Sequence, residues 1–208
     1  MNYYIEQNGK IVLFDTDKEK IQNTLMFIPD LQGSEIKETQ RPIVLSDDCS
    51  EFIWADTAEY LSEELAKAKE LKTQEATDKA YSFEEKDALI TVSATNLKTR
   101  ASGTYHIEGN LTNNIKMSAY ASTLDDTSVV PWNTKENVNI LLNKTACDTL
   151  TSIMSQLNAK LWTVDFPTYL AQIDAATTAD EVNAINVEYQ SPTEVVDINV
   201  QDAAEAGA

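Results

Sequence analysis

Asn8-Gly9, set between Tyr3-Tyr4-Ile5 and the apolar run Ile11 to Phe14, constrains this chain more than any other feature. Both residues accept the positive φ that a two-residue hairpin turn demands, so the flanks are predicted to pair as antiparallel strands whose register is set at the turn. Thr16 with Glu19 then reads as a capping box. Ile21, Leu25 and Ile28 recur at i, i+4 and i+7, which predicts a short amphipathic helix stopped at Pro29. The segments "EIKETQ" and "RPIVLS" predict further extended chain, and "EFIWA" closes a small hairpin-helix-sheet module over residues 1–55.

Asp56 with Glu59 opens a second helix striped by Leu61, Leu65, Ala68 and Leu71, but "KTQEATDKA" offers few apolar residues. Residues 56–82 therefore read as a connector helix, solvated in its far half, with no heptad series long enough for a coiled coil. Separate folding of residues 1–80 and 81–208 follows from that thinning. A second α+β module spans residues 83–189. "ALITVSA" and "TYHIEG" predict paired strands with Ile90, Val92, Tyr105 and Ile107 toward the core, followed by a helix through Met117 and Leu124. "VVPW" and "NVNILL" form another extended pair. Thr145 is the predicted cap of a long helix carrying Leu150, Ile153, Met154, Leu157 and Leu161, which Pro167 breaks or restarts, and Thr178 with Glu181 opens a last short helix. In the extension, residues 190–208, Val196, Ile198 and Val200 alternate before the disorder-like "QDAAEAGA". A lone alternating strand needs an edge, either in its own chain or on a partner through β-augmentation. Val196, Ile198 and Val200 are accordingly the candidate partner-binding residues, and a chain ending at Gln190 is expected to leave residues 1–190 folded.

Charge sets the partner class. The 208 residues carry 34 acids against 16 Lys and Arg, a net −18, so nucleic acid and anionic membrane are repelled rather than bound. No basic residue follows Lys160, which makes the C-terminal third either a solvated acidic face or a surface for a basic partner. Cys49 and Cys147 lie far apart without a CxxC motif, so neither zinc nor a disulfide framework is indicated. The opening "MNYYIEQNGK" lacks the apolar centre of a signal peptide, and no apolar run reaches membrane-spanning length; a cytoplasmic protein is expected.

Reactive patterns are sparse. His106 is the only histidine, it falls on the outer phase of a predicted strand, and no nucleophile elbow accompanies it. Asp47-Asp48 and Asp125-Asp126 sit in turn-like sequence, and a glycan hydrolase would need such acids from separate loops to converge in a cleft. Five scattered glycines make no phosphate-cradling loop, so no cofactor is expected. Trp54, Trp132 and Trp162 read as core or hinge packing rather than a sugar-binding groove. The chain reads as non-enzymatic.

From "LITVSA" to "NAINVEY", about residues 87–189, the sequence resembles a domain of unassigned function found at the C-terminus of phage and prophage tail-region proteins. The resemblance rests on Met117, Pro131-Trp132, Asn137-Val138 leading into "ILLNKT", Leu161-Trp162 and the run "ATTADEVNAIN" at residues 176–186. The opening "YYIEQNGKIVLFD" and Trp54-Ala55-Asp56-Thr57 are similar to short phage proteins encoded beside tail fibres. The segment "TNLKTRASG" and everything after Tyr189 fall outside that pattern. The resemblance implies a tail-fibre assembly factor or adaptor, or else a structural subunit of the tail, fibre or baseplate. Its partner would be a tail-fibre or other tail protein, with self-association left open, met in the bacterial host cytoplasm during assembly or in the virion tail.

Overall fold

The structure, a computed structural model, describes residues 1–199. The chain divides into two units, Met1–Ala68 with Thr177–Asp180, and Lys69–Ala176 with residues 181–199. Each combines helix with sheet, an α+β architecture.

In the smaller unit β1 (Asn2–Gln7) and β2 (Lys10–Asp15) form the hairpin, with Asn8 at φ 53° and Gly9 at φ 78° in the turn. Short strands β3 (Lys37–Thr39), β4 (Ile43–Leu45) and β5 (Phe52–Trp54) complete a sheet ordered β3-β1-β2-β5-β4. Helix α1 (Lys18–Leu25) packs on β1 and β2 and buries Ile21. Its cap is Asp17, not Thr16. The Asp17 N–H donates to Asp15 Oδ1 at 2.9 Å, which sets Asp17 Oδ1 to accept from the Glu19 N–H at 2.9 Å. The helix ends at Leu25, before a 3-10 turn over Pro29–Leu31. Arg41 donates twice to Asp56, from Nε at 2.9 Å and from an Nη at 2.7 Å, while its guanidinium lies 4.3 Å from the Trp54 ring centroid. Asp56 is thereby occupied, and Thr57 Oγ1 accepts the Tyr60 N–H at the start of α2 (Ala58–Ser82).

The far half of α2 belongs to the larger unit, and the solvated-connector expectation fails there. Ala76 and Ala80 have no exposed surface, and with Phe83 they form an i, i+4, i+7 stripe of small apolar contacts. Ala76 packs with Ile173 and Val187; Ala80 and Phe83 pack with Ala88, Leu157 and Leu161. The division therefore falls between Ala68 and Lys69, and a cut after residue 80 would strip Ala76 and Ala80 from the core they fill.

A π-type turn over Phe83–Asp87 leads into β6 (Leu89–Thr95), which pairs with β7 (Ser102–Glu108), Ile90 opposite Ile107 and Val92 opposite Tyr105. Helix α3 (Leu111–Thr123) follows, then a second hairpin of β8 (Val129–Asn133) and β9 (Asn139–Asn143). Helix α4 (Lys144–Lys160) packs on α3 and is capped by Asn143, whose Oδ1 accepts the Ala146 N–H at 2.8 Å, two residues before the expected Thr145. It continues without a break through a π-type turn over Leu161–Asp165 into α5 (Phe166–Ala175), and Pro167, which has no N–H to give the preceding turn, follows directly on that wider turn. A short α6 (Ala179–Asn183) follows. Ile90, Val92, Met117, Ile140, Leu142, Leu150 and Met154 make the centre of the core.

The last described strand, β10 (Val195–Asp197), lies parallel to β6 on the edge opposite β7, with Val196 beside Val92. Val196 packs on the core and Ile198 is buried within it. These two candidate partner-binding residues are thus committed to their own unit, because β6 supplies the edge their alternation requires. Val200 and the "QDAAEAGA" tail lie outside the described residues.

Candidate functional site

His106 projects from β7 and its Nδ1 lies 2.6 Å from Glu136 Oε1, while its backbone N–H donates to the other carboxylate oxygen at 3.0 Å. Glu136 sits in the β8–β9 turn, where Asn137 takes φ 59°, so the pair ties that turn to β7. Burial works to raise the Glu136 carboxyl, but the hydrogen bonds from the His106 backbone and ring outweigh it and hold the group at about 2 instead of 4.5. Its contribution is complete above about pH 4.5 and is lost as pH falls through about 2. Glu136→Gln should therefore reduce stability at pH 7 and converge on the parent near pH 2, which acid titration of the urea midpoint checks. A parallel pair of curves would show that the contact contributes no such linkage.

The paired acids serve turns. Asp48 accepts from the Ser46 and Ser50 hydroxyls, both at 2.7 Å, and the Ser46 bond leads in holding its carboxyl at about 2. Asp125 accepts from the Thr127 hydroxyl at 2.8 Å and backbone N–H at 2.9 Å. Asp47 pairs with Lys67 at 2.9 Å. The thiols differ: Cys49 is exposed, while Cys147 is buried and burial, aided by the Asp148 charge, pushes it up to about 11. One thiol per chain should react with a disulfide reagent at neutral pH in the native state and a second only in denaturant. Two fast-reacting thiols in the native protein would contradict the core position of Cys147.

Trp132 belongs to the core, and Trp162 lies between the Tyr81 and Phe166 rings, with centroids 5.1 and 5.4 Å away. Among the described residues, no three His, Cys, Asp or Glu side chains are grouped to hold a metal, and no helix is long and apolar enough to cross a membrane.

Concave surface is found in both units. In the larger unit a cleft of about 450 Å³ runs between Phe83 and Tyr189, and one of about 300 Å³ lies beside Tyr169 and Gln172. Their lysines are engaged, Lys79 with Glu75 and the Val187 carbonyl and Lys160 with Asp165. The smaller unit has a cleft of about 370 Å³ between the β2 start, β5 and the first turns of α2. Ile11, Phe52, Ile53, Trp54 and Tyr60 give it apolar walls, and Lys10, Glu51, Glu59 and Glu63 bring the charge. Lys10 is paired with Glu51 at 2.8 Å. The carboxylates of Glu59 and Glu63, one turn apart on α2 and both exposed, form no ion pair or side-chain hydrogen bond with any described residue. Sequence reasoning passed over this cleft, although the i, i+4 spacing of Glu59 and Glu63 around Tyr60 marks a single helix face.

Compared with protein-family models, curated proteins and solved structures, the chain finds no match.

Proposed function

We propose that the chain is a non-enzymatic protein associated with a phage tail fibre, acting as an assembly factor or adaptor in the host cytoplasm. The observation that carries this reading is the burial of Met117, Trp132 and Leu161, residues on which the tail-region resemblance rests. Those three build the core of the larger unit, while Pro131 and Asn137, on which the resemblance also rests, are exposed. The groups that chemistry would need support it too, since His106, Asp48 and Asp125 are each engaged in a turn or strand contact. Such a molecule acts by presenting shape and acidic charge.

Co-expression with the tail-fibre polypeptide tests the proposal, and a rise in soluble fibre is the expected result. Mass spectrometry of purified particles then separates the two roles: absence marks an assembly factor, while stoichiometric retention marks a structural subunit and overturns the first choice. Absence from particles with no effect on fibre solubility defeats both.

A further inference from the structure

We infer that the cleft of the smaller unit is a docking site for a lysine or arginine side chain presented by an extended basic segment of a partner protein. This deepens the proposed function by naming the partner's chemistry, and it rests on the reading of the chain as a binding protein.

Shape and charge agree on the occupant. Apolar walls from Ile53, Phe52, Trp54 and Tyr60 suit the aliphatic stem of a long basic side chain, which leaves its charged head at the rim. There Glu59 and Glu63 face a cation with no competing partner among the described residues, because the one cationic lining residue, Lys10, is taken up by Glu51. Two like charges at i, i+4 on a helix repel, so a cation set between them relieves a cost already present in the unbound protein. Trp54 already holds the Arg41 guanidinium and Phe52 packs on Phe14, so Tyr60 is the ring of the wall left to attract an incoming cation. An acidic or neutral segment gains none of these terms. A second copy of this chain, at net −18, meets long-range repulsion at the same surface.

The test is titration of the full chain, observed by amide and indole N–H resonances, with a short unstructured peptide of lysine and serine. Perturbations should concentrate at Phe52, Trp54, Tyr60 and Glu63. Glu59→Gln with Glu63→Gln, both exposed and on the surface of α2, should weaken binding about fivefold to tenfold without altering the fold. Tyr60→Ala should weaken it independently, and acetylating the lysines should abolish it. Shifts spread evenly over the acidic surface, or binding unchanged by the double substitution, overturn the site. Concentration-dependent shifts of the same residues without peptide assign the cleft to self-association and overturn the choice of occupant. Failure here with fibre solubility still raised defeats this inference alone; peptide binding with no effect on any fibre defeats the proposed function alone.

Discussion

Replacing Leu150 with alanine is expected to lower the stability of the larger unit by about 2–5 kcal/mol. Leu150 has no exposed surface and lies in the cluster with Ile90, Met117, Ile140 and Met154. Loss of its isobutyl group forfeits transfer free energy and leaves a space that α4, held against α3 along its length, can close only in part. A domain of ordinary stability has about 5–15 kcal/mol in total, so the variant should be folded but close to its limit. Urea unfolding followed by the near-ultraviolet signal measures the loss. Hydrogen exchange adds a second constraint, because protection should fall in β6, β7 and α4 while the β1–β2 amides of the smaller unit keep theirs. A loss below about 1 kcal/mol would mean that this cluster is not the centre of the core.

The elements legible in sequence were those whose signal is local and strong. Asn8-Gly9 between apolar flanks can hardly be anything but a hairpin, and the α4 stripe of Leu150, Met154, Leu157 and Leu161 is buried as its spacing requires. Caps were found in the right neighbourhood and misassigned by one or two residues. Asp17 and Asn143 displaced Thr16 and Thr145, since a carboxylate or amide oxygen competes well with a hydroxyl for the same N–H groups. The far half of α2 was misread for another reason. Alanine carries little hydrophobic weight, so a buried face made of Ala76 and Ala80 looks like a solvated one until Ile173, Val187 and Leu157 are placed against it. Those contacts join residues about a hundred positions apart, which no window along the chain can report. The cleft in the smaller unit was hidden likewise, as Lys10, Phe52 and Glu63 come from three separate elements.

Ending the chain at Gln190 should destabilise the larger unit by on the order of 3–5 kcal/mol, a cost that the sequence-based expectation of a folded 1–190 chain did not include. Truncation removes Ile198 from the core, where 5% of its surface is exposed, and takes Val196 from its place beside Val92. It also opens the edge of β6, which loses its parallel partner, and deletes the Ile198 N–H that donates to the Ser93 carbonyl at 3.0 Å. The Ser191 hydroxyl goes as well; it accepts the Leu89 N–H at 2.9 Å where β6 begins. Ile198→Ala should reproduce about half of the loss, while Val195→Ser, altering a side chain already 55% exposed, should change stability by no more than about 0.5 kcal/mol. Urea midpoints for the three variants decide the matter, and a truncated chain as stable as the parent would show that β10 adds nothing to the fold. The consequence reaches the functional question. Any weakening of partner binding in the truncated chain would follow from a disturbed core as readily as from a missing contact, so the C-terminal strand can be probed for a binding role only through its outward residues, Val195 and Asp197.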